Sequence, residues 1–580
     1  MLNKLKKSSN FLRTNRMSTI IIVMLFAIFT IFMTYPLWKT NQMVVTSDWT
    51  FHASRVEEIY RNLKHGQLFT FIATSTFHQT GVGSFLFYPT LFLYPWALLR
   101  FVFSPLTSFY VWYSVMSFGT LVVSYFSMVH ITHSKSKGFI FALLYTLNPY
   151  RLYLAPSGFV LGEFIASTFV PLAFLGLYEI LWGNKNEWYI LGIAMALLLN
   201  SHILTVVLTV EIFVLILVFN FFFNYQKISD NIFGIVKAAI LAGVLAFPAL
   251  VPFITDFIGR GITSAYKGIG ILNGADVMWS SSISNKAVGN SVGIISIVVI
   301  FVGWKFIEKK NILRYSYILG ILLILLSTSV FPWMMFENTF LGIVQLPWRY
   351  LIYADLFLAI VASFIIDDGI KNFTNVYRSK IGIFIIIFGL AIVSYYGSIS
   401  DVINRNVANN TPMVHKVNSN SMARIPEFIK INNSNYRDQF NYQVRYGETD
   451  YFPKKSLKYE NQILQHKARI DGKFQTLKPT SSGDGILFKL NSRKIDKIDL
   501  PVVAYNGTQV QIDGKKIKST ISKRGTVLVI GTKNINNIKV TYEPNILYYV
   551  SVLISMIGWL LMGFLLIYKK YRVKQGFTIW

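Results

Sequence analysis

Asp48, His52 and Arg55 stand at i, i+4 and i+7 in the stretch TSDWTFHASRVEEIYRNLKHGQLF, residues 46–69. In a helix that spacing puts a carboxylate, an imidazole and a guanidinium on one face. The carboxylate can take a proton from a hydroxyl. The guanidinium, with the imidazole beside it, can hold a phosphate. A blander reading stays open: Ser47 or Asp48 caps an amphipathic helix running from Trp49 to Leu63. The two readings are compatible, and a cap needs neither His52 nor Arg55. On the same helix, ion pairs along a solvated or interfacial surface account for Glu57, Glu58, Arg61 and Lys64. Tyr60 and Leu63 read as packing residues.

Further ionisable residues interrupt apolar sequence. Glu163, in SGFVLGEFIASTFVP, sits at the edge of an apolar segment, where a carboxylate is costly and marks a candidate site. It either helps to activate an acceptor or hold a metal, or it is the structural partner of Arg151 in NPYRLYLAPSG. Arg349, in QLPWRYLIYAD, is a phosphate ligand or an interfacial anchor beside Trp348 and Tyr350. His202, in LLNSHILT, lines a site or is a buried histidine satisfied by Asn200 and Ser201. Two carboxylates without histidine ligands would suit Mg²⁺ or Mn²⁺ better than zinc. No cofactor beyond that is indicated.

No G-x-x-x-x-G-K-[ST] phosphate loop, H-E-x-x-H or G-x-S-x-G occurs. A donor would therefore arrive preformed, or an ion gradient would supply the energy. The 580 residues are 53% hydrophobic and only 14% charged, against about 25% charged in an ordinary soluble domain. Long apolar blocks and few charges describe a polytopic membrane protein. Much of the net charge of +28 lies in short loops beside apolar runs, where Lys and Arg set topology. It is no nucleic-acid signature. With no cysteine in the chain, disulfides, thiolate metal sites and a Cys nucleophile are excluded.

The elements that must position these residues are apolar helices. A basic start (Lys4, Lys6, Lys7, Arg13, Arg16) precedes the run Met17 to Trp38, which is too long for a signal-peptide core and reads as an uncleaved first span. Further candidates are 85–103, 107–131, 138–155, 160–182, 188–204, 205–224, 232–254, 290–307, 313–333, 349–366, 380–396 and 545–568. Basic loops at Lys305–Arg314 and Lys371–Lys380, and the tail Lys569, Lys570, Arg572 and Lys574, point to the cytoplasm. Two cytoplasmic termini require an even number of crossings. The segment 85–103, with Pro89, Pro95 and Arg100, is the one that reads as re-entrant or surface-lying. The expectation is about 12–13 spans in the whole chain, all but the last in a multi-span domain over residues 1–396 with an external loop at 40–84. Residues 397–544 form an extracytoplasmic β-rich domain, and 545–580 a final span with a basic tail. Alternating stretches at Gly485–Leu490, Gln509–Ile512, Val527–Ile530 and Ile538–Tyr542 supply the strands. Asn506-Gly507, Asp513-Gly514 and Arg524-Gly525 mark turns.

A succession of short motifs then carries a resemblance. In order they are S-D-W-x-x-H-x-x-R (47–55), I-Y-x-x-L-K-x-G-x-L-F (59–69), F-Y-P (87–89), N-P-Y-R (148–151), G-E-F-I-A (162–166), V-P-L (170–172), N-S-H (200–202) and L-P-W-R (346–349). Y-F-P (451–453), L-P-V-V-A-Y-N-G (500–507) and V-Q-I-D-G-K (510–515) extend it into the outer domain. The chain resembles bacterial membrane proteins labelled 6-pyruvoyl-tetrahydropterin synthase-related, close to the YfhO-like proteins of the GT-C glycosyltransferase superfamily. Nothing in it suggests pterin chemistry.

The resemblance implies a GT-C-like, inverting glycosyltransferase of the bacterial plasma membrane. It would move a sugar from a polyprenyl-phosphate donor to an envelope glycopolymer or glycolipid on the outer face. Asp48 would be the catalytic base, with Glu163 the acid of the family's G-E motif. Arg151 and Arg349 match its arginines and, with Arg55 and His52, would hold the donor phosphate. Tyr88, His202 and Trp348 would line the site. The tandem Asp-Asp of relatives is missing, since Trp49 follows Asp48, so no metal is assigned. A transporter or flippase of lipid-linked glycans, and a non-catalytic envelope scaffold, are the alternatives.

Overall fold

The computed structural model describes residues 2–46, 48–223, 228–263, 268–270, 272–307, 311–373, 377–414, 428–440, 449–530 and 534–574. Ser47 and parts of both basic loops (308–310 and 374–376) lie outside the described residues. Among the described residues, six helices are long and apolar enough to cross a membrane: Met17–Lys39, Pro105–Thr132, Ile203–Phe221, Pro347–Asn372, Gly382–Val407 and Ile546–Lys569. Two bent pairs, Leu161–Ser167 with Val170–Leu181 (42°) and Asn231–Leu245 with Phe247–Phe257 (80°), bring the number to eight at most. Gly293–Phe306 and Ile312–Leu326 are shorter apolar helices.

The expected 12–13 spans are therefore too many by length, and proline explains much of the difference. A residue before proline is driven out of the helical region. Asn148, with ψ 136° ahead of Pro149, divides 138–155 into Lys135–Thr146 and Pro149–Leu154. Tyr88, with ψ 126° ahead of Pro89, ends Ser84–Phe87 after one turn. Tyr94–Leu99 follows as a second short piece. Residues 85–103 thus form no continuous span. The helix Tyr377–Val407, by contrast, runs on well past residue 396.

At the far end of the first helix, Gln42–Val45 pairs antiparallel with Ile429–Asn432. The 40–84 loop and the β-rich unit therefore occupy the same end of the helical body. The unit holds two five-stranded antiparallel sheets. Phe488, Leu500, Val510, Val529 and Ile538 belong to its core. The strands Gly485–Lys494, Thr508–Ile512, Thr526–Ile530 and Asn534–Tyr542 match the alternating stretches. Asp513 and Gly514, at φ 46° and 83°, make the expected two-residue hairpin turn.

Candidate active site

Trp49–Lys64 is a helix, and Asp48 sits at its N-cap. The Asp48 carboxylate makes no capping hydrogen bond to the helix, so the cap role is not realised by its side chain. The helix is not a one-faced surface element either. Every residue from Trp49 to Ile59 is buried, and Trp49 donates its indole N–H to Gln439 Oε1 at 2.7 Å. The solvated-pair reading of Glu57 and Glu58 is accordingly corrected. Glu57 is buried between Arg61 (2.9 Å) and Arg100 (2.8 Å). Glu58, with no exposure, accepts hydrogen bonds from the backbone N–H of Thr74, Ser75 and Thr76 and from the hydroxyls of Thr74 and Thr76.

His52 and Arg55 lie against Tyr88. The His52 and Tyr88 rings are 5.6 Å apart, and the Arg55 guanidinium lies 4.6 Å from the Tyr88 ring centroid. Arg55 Nη2 donates to the carbonyls of Tyr88 and Pro89, both at 2.7 Å. It clamps the F-Y-P segment in its extended form. Burial, then the Arg55 charge, then His202 hold His52 well below its ordinary pKa, so it is a neutral imidazole. Its Nδ1 is buried with no hydrogen-bond partner. Gly162 allows this packing, because a Cβ there would collide with the Tyr88 hydroxyl. His202 packs on the other side of Tyr88, ring to ring at 5.7 Å. Its Nδ1 partner is Thr205, at 2.8 Å, while Asn200 and Ser201 bond to helix carbonyls instead.

Glu163 does not pair with Arg151. Its Oε1 accepts from the Tyr150 hydroxyl at 2.7 Å, and its Oε2 faces Arg349 Nε at 3.6 Å. Neither Oε2 nor that Nε has a hydrogen-bond partner. Arg349 Nη1 is steadied by Gln345 Oε1 (3.0 Å) and the Val344 carbonyl (3.3 Å). The result is a buried charge pair held slightly open. Arg151 is fully buried behind it, donating to Thr120 (2.6 Å), Ser167 (3.1 Å) and the Thr146 carbonyl (3.4 Å). Trp348 is half-buried beside Arg349.

Tyr88, Tyr153, Glu163, Asp450 and Tyr451 all lie within electrostatic reach of Asp48. Asp450 and Tyr451 come from the β-rich unit and were missed in the sequence, although Tyr451 begins the Y-F-P motif. Tyr505 fixes them by donating its hydroxyl to the Tyr451 carbonyl while accepting from the Gly83 N–H, both at 2.9 Å. Burial, then the Asp48 charge, push the Asp450 carboxyl up to about 7.

Beside this cluster an apolar groove of about 420 Å³ runs between the segment 68–94, the bend Leu245–Pro252 and the last helix. Tyr88, Pro89 and Asn200 line the groove and also the crevice around His52, Arg55 and Gly162. Among the described residues no group of three or more His, Cys, Asp or Glu is placed to hold a metal ion.

No family model matches the chain, and no curated protein matches it. Among solved structures, it aligns with the cryo-EM structure of the arabinofuranosyltransferase AftD from Mycobacteria, at 12% identity and a TM-score of 0.39. The alignment covers 67% of this chain and 27% of that one. The chain thus spans about a quarter of the length of that structure. That overlap is too loose to carry a fold or an activity across.

Proposed function

We propose that the protein is a membrane glycosyltransferase of the GT-C type, using a polyprenyl-phosphate sugar. The observation that carries this reading is the buried Glu163–Arg349 pair, within electrostatic reach of Asp48, near an apolar groove that meets the His52–Arg55 crevice at Tyr88. An amphiphile with a long hydrocarbon tail and a charged, polar head matches both parts. The order of motifs along the sequence supports the same reading.

In this scheme the prenyl chain lies in the groove and the phosphate meets Arg349, whose Nε has no hydrogen bond to break. Asp48 takes the proton of an acceptor hydroxyl on an envelope glycopolymer or glycolipid. The hydroxyl oxygen attacks the anomeric carbon, and the carbon–oxygen bond to phosphate breaks with its electron pair. Polyprenyl phosphate leaves and the anomeric centre inverts. Arg349 meets the phosphate charge as it grows. Neutral His52 offers a hydrogen bond rather than a charge. Arg55 and Arg151, occupied by backbone and hydroxyl oxygens, shape the site around the phosphate.

A test fills the groove. Ala249→Trp should raise the KM for the polyprenyl-phosphate sugar by at least about tenfold, a loss of about 1.4 kcal/mol of binding. Turnover at saturating donor should change little. An unchanged KM, with the tryptophan variant folded, would remove the groove from the scheme.

The Asp450 carboxyl gives a pH prediction. Below about 7 it is neutral, and as the pH rises through 7 it adds a second negative charge beside Asp48. That charge repels an anionic donor. Donor affinity should therefore fall between pH 6 and pH 8 in the wild type and stay level in Asp450→Asn. A wild-type profile without this fall would count against Asp450 facing the donor.

A further inference from the structure

We infer that the protein has a second binding site, for a single-chain aliphatic alcohol, in a cavity headed by Asp355. This cavity of about 490 Å³ is distinct from the groove and is formed by the helices Lys135–Thr146, Gly293–Val302, Leu351–Phe373 and Tyr377–Val407. Its volume falls within the range of about 300–1,000 Å³ typical of small-molecule sites.

The lining is polar at one end only. Asp355, Ala359, Ala362 and Ile366 stand at i, i+4, i+7 and i+11 on one helix face and all line the cavity. They span about 16 Å along the axis. Asp355 is at the end nearest Arg349. Asn148 and Pro149 head the adjoining helix, and the next residue, Tyr150, reaches Glu163. Gly293 packs against Pro149. Asn285 donates to Ser394 Oγ at 3.1 Å, which brings the last wall to the same end. Away from this end the walls are Ile140, Ile366, Ile387 and Val299.

Asp355 is the unexplained group. It is 1% exposed, and neither carboxyl oxygen has a well-formed hydrogen bond, the Asn148 amide being the group that comes near it. Asn148 lies beside it but gives its Nδ2 to the Val292 carbonyl at 3.0 Å. A buried polar group without a partner is costly, more so among apolar helices. Within a bilayer, hydrocarbon gains little by leaving lipid for an apolar wall. Selection must therefore come from the polar end. A hydroxyl donating to Asp355, with its chain laid along the 355–366 face, satisfies both features. Among the described residues lining the cavity there is no Lys, Arg or His to favour an anionic head group. The site is separate from the sugar-transfer reading and stands or falls without it.

The test uses the full-length protein in phosphatidylcholine nanodiscs with a C16 alcohol carrying a photoreactive diazirine in mid-chain. Crosslinks should map to the peptides bearing Ile140, Ile366 and Ile387. Unlabelled hexadecanol should compete at least tenfold better than hexadecane, which lacks the hydroxyl. Asp355→Leu should abolish that preference, and Ala362→Trp, deeper in the shaft, should block labelling. Equal competition by hexadecanol and hexadecane in the wild type would overturn the inference, because the polar end would then select nothing. So would crosslinks spread evenly over the outward faces of Gly382–Val407 and Ile546–Lys569. Both of these outcomes are read on the wild type and do not depend on how a variant folds.

Discussion

Asp48→Asn should lower sugar transfer by about 10²–10⁴-fold, the usual contribution of a general base, while leaving the melting temperature unchanged. Asparagine caps a helix about as well as aspartate. The substitution therefore preserves whatever the position gives to helix Trp49–Lys64 and removes only the proton acceptor. The carboxylate makes no capping bond in any case. Asn also keeps the size of the side chain, so Tyr88 and Tyr451 retain their neighbour. Equal transfer by both proteins at equal membrane levels would withdraw the base role from Asp48. A loss of stability in step with activity would return the residue to a structural one.

The largest stability effect is expected at Glu58. Its carboxylate gathers five donors from Thr74, Ser75 and Thr76 in a fully buried position. Glu58→Leu strands all of them. Each buried group left unpaired costs about 1–3 kcal/mol. Relaxation and water entry reduce the sum, and a loss on the order of 3–5 kcal/mol is expected, as for other broken buried charge networks.

The damage should also travel. The loop carries Ser75, which donates to Ser481 at 2.8 Å, and leads to Thr80, whose carbonyl accepts from the Val503 N–H at 2.9 Å. Gly83 follows and holds Tyr505, which fixes Tyr451. Loosening the loop should free Asp450 and Tyr451 from the site. Amide hydrogen exchange should then rise in 70–83 and 449–453 together. Protection lost in 70–83 alone would show that the β-rich unit is held independently.

Local chemistry was readable in the sequence, and partners distant along the chain were not. Alternation and Asp513-Gly514 located strands and a hairpin, because both signals lie within a few residues. The helix that carries His52 and Arg55 was legible for the same reason. Span counting failed where a proline divided an apolar run, as at Asn148-Pro149, whereas the prolines of 85–103 already marked that segment as no simple span. Hydropathy alone does not register such breaks.

Pairing followed the same division. Arg151 was the sequence neighbour of Glu163, yet the charge that meets Glu163 is Arg349, nearly two hundred residues away. Glu57 and Glu58 looked solvated because nothing near them in sequence announced Arg100 or the Thr74–Thr76 amides. Asp450 gave no local sign at all. Its role depends on the β-rich unit folding down onto the helix that Asp48 begins.

The central claim is that a carbon–oxygen bond of the donor is broken at this site. It is tested most directly by reconstituting the purified protein in liposomes with a panel of polyprenyl-phosphate-linked pentoses and hexoses and with envelope glycopolymer. Free polyprenyl phosphate is then counted against sugar transferred. One polyprenyl phosphate should appear for each sugar joined to polymer, with the wild type and not with Asp48→Asn. Intact donor reaching the opposite leaflet with no polyprenyl phosphate released would contradict the claim and make the protein a transporter.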